Sequence, residues 1–267
     1  MPSTRTDLHV VSLAERPDLE EAMISMESSW PAYIRPDPLL VDWAFDRHPE
    51  HQLVVLDEGA DDKQQVIARA AGVGIAWDGD PDHLPDTGWD AALRQCLTDT
   101  YARRRHTALC ALEIAVAPGH QARHLSARTL RALSDHARRQ GFRDLVSPIR
   151  PSLKHEHPEL PMDEYVARRR PDGLPADPWL RTHVRAGAEV LKVCPASMTI
   201  SGSLAEWRAW TGLPLDTDGQ VTVPGALTPV TVSLAHDYAV YVEPNVWVRH
   251  RLTDPLTSSL SDKETSA

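Results

Sequence analysis

Apolar and polar residues alternate from Leu8 to Leu13, and that period predicts a first strand. Asp18 to Ser28 opens with acidic residues and predicts a helix, closed by Ser29, Trp30 and Pro31. A short helix is predicted from Pro38 to Phe45, a strand from Gln52 to Leu56, an acidic turn from Asp57 to Lys63 and a long strand from Val66 to Trp77. Gly72 and Gly74 inside that last run predict a bulge or a close backbone approach. Polar residues with two prolines fill Asp78 to Thr87, and Trp89 to Arg104 then places Leu93, Leu97 and Tyr101 at helical spacing.

The most informative pattern follows. Leu112 to Val116 is apolar with one charge, Glu113, and predicts a buried strand. Pro118 and Gly119 break it. Leu125, Thr129, Leu130, Leu133, His136 and Ala137 then recur as a helical stripe, with Gly141 placed to end the helix and Arg143 to Ile149 reading as the next strand. The first amides of such a helix have no partner within it, and its dipole turns positive toward the preceding loop. A strand, a tight loop and a helix N-terminus in that order form a phosphate cradle.

Beyond Ile149 the segment from Arg150 to Gly173 shows no periodicity, and a loop of that length is expected to serve a site, here as a lid. Asp177 as N-cap, Pro178 at the first helical position and Gly187 as stop delimit another helix. Glu189 to Cys194 and Ser197 to Ser201 are strand-like, Leu204 to Thr211 is a short helix, and Val221 to Val223 a short strand. Val230 to Leu234 and Ala239 to Val242 are expected to pair as a hairpin, with Val246 to His250 extended beyond Pro244. The Ser/Thr/Asp-rich tail, 253–267, is expected to be disordered, leaving one domain over 1–252.

The 267 residues, 42% hydrophobic, suffice for one core. No apolar run nears the roughly 20 residues of a membrane span, and the N-terminus lacks an apolar signal region. Three scattered cysteines, Cys96, Cys110 and Cys194, point to a reducing, cytoplasmic setting. A formal charge of −10 argues against nucleic acid as a partner. His155 and His157 lack a third ligand at metal spacing, so no metal is expected. Arg103 to Arg105 and Arg168 to Arg170 are expected to be solvated charge runs. Eight tryptophans against two phenylalanines find no explanation in the sequence.

The central strand, loop and helix resemble the acyl-CoA-binding segment of the GCN5-related N-acetyltransferase (GNAT) family, which runs Val-x-Pro and then Gln/Arg-x-x-Gly-x-Gly/Ala into a helix. Val116, Pro118 and Gln121 match, Arg123 fits the basic middle, and His124 and Ser126 stand where the family carries glycines. The resemblance implies an α/β GNAT fold: a mixed, splayed sheet of six to seven strands flanked by helices, here with two insertions. It implies acetyl-CoA or another acyl-CoA as co-substrate, bound by Val116, Gln121, Ala122, Arg123, His124, Leu125 and Ser126. Members commonly place a tyrosine four residues before a Gly-Phe pair on the last helix, where it protonates the departing thiolate. Here the pair is Gly187-Ala188 and the residue four before it is His183, the first catalytic candidate.

The segments Asp177 to His183, Ser197 to Ile200, Glu206 to Gly212 and Glu243 to Trp247 are similar to one GNAT-like branch, related to polyketide loading-module domains that decarboxylate malonyl-CoA and pass acetyl to a carrier protein. That branch implies functional roles for Ser152, His183 and Trp30, the first two as an oxyanion hole. Its carboxylate-binding arginine has no counterpart here; Thr199 stands near its place. Glu113 and Glu243 are carboxylates able to deprotonate an amine. The expected activity is direct transfer of acetyl, or a short acyl group, from CoA to a small amine or thiol, with His183 as general acid/base. The alternatives are malonyl-CoA decarboxylation with an acyl carrier protein as partner, and a non-catalytic acyl-CoA-binding module.

Overall fold

The computed structural model describes residues 8–28, 30–57, 65–120 and 125–252. Nine strands among them form one sheet: β1 (His9–Ser12), β2 (Gln52–Asp57), β3 (Gln65–Ile75), β4 (Ala108–Val116), β5 (Asp144–Ile149), β6 (Glu189–Gly202), β7 (Gly219–Val221), β8 (Val230–Ser233) and β9 (Tyr238–Arg251). Their order is β1-β2-β3-β4-β5-β9-β8-β7, with β6 paired along the other edge of β9. The sheet is antiparallel except between β4 and β5. The six or seven strands implied by the resemblance are exceeded because β7 and β8 pair as a hairpin and add to β9.

Seven helices lie against the sheet among the described residues: α1 (Glu20–Ser25), α2 (Pro38–Arg47), α3 (Gly88–Tyr101), α4 (Leu125–Arg139), α5 (Met162–Ala167), α6 (Pro178–Arg185) and α7 (Leu204–Thr211). Alternation along β4 sorts them. Ala108, Cys110 and Leu112 pack with Trp89, Ala92, Leu93 and Cys96 of α3. The intervening Leu109 and Ala111 pack with Leu130, Leu133 and Ala137 of α4. A strand with period-two side chains thus carries a helix on each face.

The feature that positions the site is the parting of β4 and β5. They pair only over Ala108–Cys110 and Asp144–Val146. Beyond that, side chains take the carbonyls of β4: Ser147 Oγ donates to Ala111 O at 2.9 Å, and Trp89 Nε1 to Leu112 O at 2.9 Å. Pro148 of β5 has no N–H to donate. On its other edge β4 carries a bulge, since Ala71 faces Glu113 whereas Gly72 faces Ala111. Gly74 is the close approach expected on β3: a Cβ there would collide with the His106 ring.

Two expected breaks are absent. β6 and β9 run through Pro195 and Pro244, because the pairing register shifts between Cys194 and Met198, opposite Asn245 and Glu243, and the prolines fall in that interruption. The expected lid is a packed element. Met162 and Tyr165 of α5 join the core beside Leu180 and Leu227. Lys154 buries its ammonium against the carbonyls of His157 (2.7 Å) and Leu227 (2.6 Å). The tryptophans also find a use: Trp77 and Trp247 donate to the carbonyls of Asp80 and Pro85 and tie the 78–87 segment to the sheet.

Candidate active site

The parted strands open into a cavity of about 630 Å³. Ala111 to Ile114 of β4 and Ser147 to Ile149 of β5 form its walls, Ser126 of α4 one end, and Trp179, Thr182 and His183 of α6 another. Of the sequence candidates, Trp30, Val116, Ser126, Ser152 and His183 all line it. Leu125 instead buries its side chain among Val55, Ile67 and Ala68. Gln121, Ala122, Arg123 and His124 lie outside the described residues.

α6 holds His183 through signals that are local in sequence. Asp177 accepts from the amides of Trp179 (2.9 Å) and Leu180 (3.0 Å), and Pro178 begins the helix. At the other end Gly187 adopts φ +89°, and the amides of Gly187 and Ala188 donate to Val184 O and His183 O at 3.0 and 2.9 Å. Asp177 also accepts from Tyr165 Oη (2.9 Å) and Leu153 N (3.0 Å), with Ser152 Oγ farther off at 3.5 Å, so one carboxylate ties α6 to α5 and the turn after β5.

His183 is buried, with Nδ1 2.9 Å from Nε2 of His250 on β9 and the Trp179 ring edge-on at 4.5 Å. Its own Nε2 has no hydrogen-bond partner among the described residues. The backbone of Ala186 favours the protonated form of His250, and we assign the proton of the neutral ring to the nitrogen that faces it. That leaves a lone pair on His250 Nε2, which receives the proton of His183 Nδ1. His183 Nε2 is then an acceptor with nothing to accept from the protein. Burial pushes the His183 pKa down to about 3, so the ring is neutral at physiological pH.

A second cavity, of about 900 Å³, lies on the far side of β4, between α1, α2 and β3. Trp30, Pro31, Trp89, Leu112 and Glu113 border both cavities. The second is acidic: Glu20, Asp42, Asp46 and Glu113 line it, with Arg35 and Arg69. Glu113 accepts from Arg69 Nε (2.8 Å) and Nη2 (3.1 Å), while Arg69 Nη1 donates to the carbonyls of Met23 (2.6 Å) and Met26 (3.1 Å). Glu113 is thereby held at the junction of the two spaces. Glu243, the other carboxylate singled out from sequence, is committed elsewhere: it accepts from Arg150 Nε (2.9 Å), Tyr241 Oη (3.0 Å) and Asn245 Nδ2 (3.1 Å). His250, Arg69 and the acidic lining escaped sequence reasoning, because each reaches the site from a distant strand or helix.

No protein-family model matches the chain. A curated relative does: the arginine N-acetyltransferase avaD of Aspergillus versicolor is 34% identical over 269 residues, covering 89% of this chain and 91% of its own length. Among solved structures, the loading GNATL domain of CurA from Lyngbya majuscula superposes with a TM-score of 0.55 at 16% identity, over 92% of this chain and 96% of that one. The GphF GNAT-like decarboxylase in complex with isobutyryl-CoA gives 0.59 at 18% identity, over 92% and 100%. At such identities these two speak to the fold alone. In the described residues no helix is long and apolar enough to cross a membrane.

Proposed function

Since the chain belongs to the GNAT family and is an acyltransferase of that type, we propose that it transfers acetyl from acetyl-CoA to the amino group of a small, cationic, arginine-like acceptor. The unpartnered Nε2 of His183, a residue that lines the gap between β4 and β5, carries this reading. The thioester lies in that gap with its pyrophosphate toward the first turn of α4, where free amides and the helix dipole favour anions. The amine enters from the acidic cavity, and the two meet beside Glu113.

The attacking nitrogen, as the free amine, adds to the thioester carbonyl. His183 Nε2 accepts a proton from that nitrogen as the C–N bond forms. The imidazolium so created is a strong acid in its buried setting, and it returns the proton to sulfur as the C–S bond breaks, releasing CoA as the thiol. A backbone amide of β4, beyond its pairing with β5, polarises the carbonyl oxygen. Asp42 and Asp46 on α2 suit a guanidinium, and Arg35 suits an α-carboxylate. The name of the curated relative agrees with this acceptor.

Decarboxylation of malonyl-CoA fits less well. Among the described residues of the first cavity the cation is Arg150, and it is paired with Glu243 and the Gly225 carbonyl. The malonyl carboxylate would have to break that pair. The test is acetyl-CoA with L-arginine, agmatine or L-lysine, and separately malonyl-CoA alone, following thiol release and identifying products by mass spectrometry. Acetylated arginine or agmatine is expected. Acetyl-CoA from malonyl-CoA alone, with no amine acetylated, overturns the proposal.

A further inference from the structure

On the opposite edge of the sheet from His183, four histidines gather where α2 runs into β2. His48 C-caps α2, its N–H on Ala44 O at 2.9 Å, and the short turn Pro49–His51 follows. His48 Nδ1 lies 3.3 Å and His51 Nε2 3.6 Å from the same oxygen, Oε1 of Glu50. The three ligand atoms all fall within 4.8 Å of one another. In a tetrahedral zinc site with bonds of about 2.0–2.1 Å, neighbouring ligand atoms stand roughly 3.3–3.4 Å apart. Two of the three separations, 3.3 and 3.6 Å, are already near that spacing.

The outer atoms agree. A histidine that binds a metal through one nitrogen gives the proton of the other to a fixed acceptor. His51 Nδ1 faces His136 Nε2 of α4 at 3.3 Å, and His48 Nε2 faces Thr100 Oγ1 of α3 at 3.5 Å. His106 packs against His48 at 5.8 Å between ring centroids, and its buried Nε2 has no partner among the described residues. This is much imidazole in one place for a merely structural turn. The sequence drew notice to His155 and His157 instead, because His48, Glu50 and His51 are too closely spaced to match a zinc motif.

We infer that His48 Nδ1, Glu50 and His51 Nε2 hold a divalent metal ion, with two imidazole nitrogens and one carboxylate favouring Zn2+. The half-exposed Glu50 leaves the remaining position to water. These residues line neither cavity, so the ion is a clamp rather than a catalyst. It fastens the C-terminal end of α2, whose residues Val41, Asp42, Phe45 and Asp46 wall the acidic cavity.

The test uses the tag-free full chain after chelator dialysis, titrated with Zn2+ against a chromophoric chelator and with Co2+ by visible absorption. A single saturable equivalent is expected, with a Tm raised by at least about 4 °C when Zn2+ is in large excess over its dissociation constant. Glu50→Gln should weaken binding at least about tenfold while its metal-free Tm stays that of the metal-free native chain. His83→Gln, which disrupts the exposed His83–Asp78 pair (2.6 Å), is the control and should bind as the native chain does. Absence of a saturable equivalent, native-like binding by both Glu50→Gln and His48→Gln, or loss of binding in His83→Gln overturns the inference. Since the readout is metal bound, none of these results depends on acetyl transfer.

Discussion

At the scale of single residues the proposal concentrates on two side chains with different duties. In the proposed reaction His183 moves the proton, so His183→Gln should lower kcat by about 10²- to 10⁴-fold while leaving KM for acetyl-CoA nearly unchanged. It also has a signature in stability. The native ring resists protonation down to about pH 3, whereas an unfolded histidine takes up a proton near 6.5. Between those values the unfolded chain binds more protons, so stability falls as pH drops below about 6.5 and is fully present above it. His183→Gln should flatten that part of the slope, measured by urea unfolding across the window. In the proposed reaction Glu113 holds the acceptor rather than the proton. Glu113→Gln should raise KM for the amine by about 10- to 100-fold, the worth of a hydrogen bond to a charged group, with KM for acetyl-CoA unmoved. An equal rise in both would mean that the loss of the Arg69 pair had loosened β3 and β4 instead.

At the scale of elements, α6 shows what a sequence can and cannot say. Its start, stop and inward histidine follow from Asp177, Pro178 and Gly187, which act on their own neighbours and are legible without a fold. The load on Asp177 is not legible, since Tyr165 and Leu153 come to it from elsewhere. Asp177→Ala removes a helix cap and strands a buried hydroxyl together, so it should cost at least about 2 kcal/mol in urea unfolding and lower kcat by tilting His183. α4 and the strands around it were equally readable, because their periods differ so plainly. What escaped is nonlocal. His250 sits in a strand with nothing in its neighbourhood to mark it, and it meets His183 only because β9 crosses beneath α6. Pro195 and Pro244 read singly as breaks, yet opposite each other they share one interruption and leave β6 and β9 continuous. The parting of β4 from β5 likewise depends on Trp89, whose indole arrives from the 78–101 insertion.

At the scale of the molecule, the sheet keeps two spaces apart and lets them touch at a narrow junction of Trp30, Pro31, Trp89, Leu112 and Glu113. With thioester and amine placed as proposed, that layout dictates kinetic order. A covalent route would need a nucleophile in the gap, and the three cysteines are buried away from both cavities with burial raising their thiol pKa values, Cys96 and Cys194 to about 12. Ser152 reaches the cavity, but among the described residues its hydroxyl approaches the committed carboxylate of Asp177 and no base that could activate it. The acyl group should therefore never rest on the protein: thioester and amine occupy their two spaces together, and the bond forms across the junction. Initial rates measured at several fixed amine concentrations should give intersecting rather than parallel double-reciprocal lines. Intact-mass measurement after incubation with acetyl-CoA alone should show no acetylated protein. Parallel lines together with an acetyl adduct that a later addition of amine removes would place a nucleophile in the gap and undo the direct transfer argued from His183.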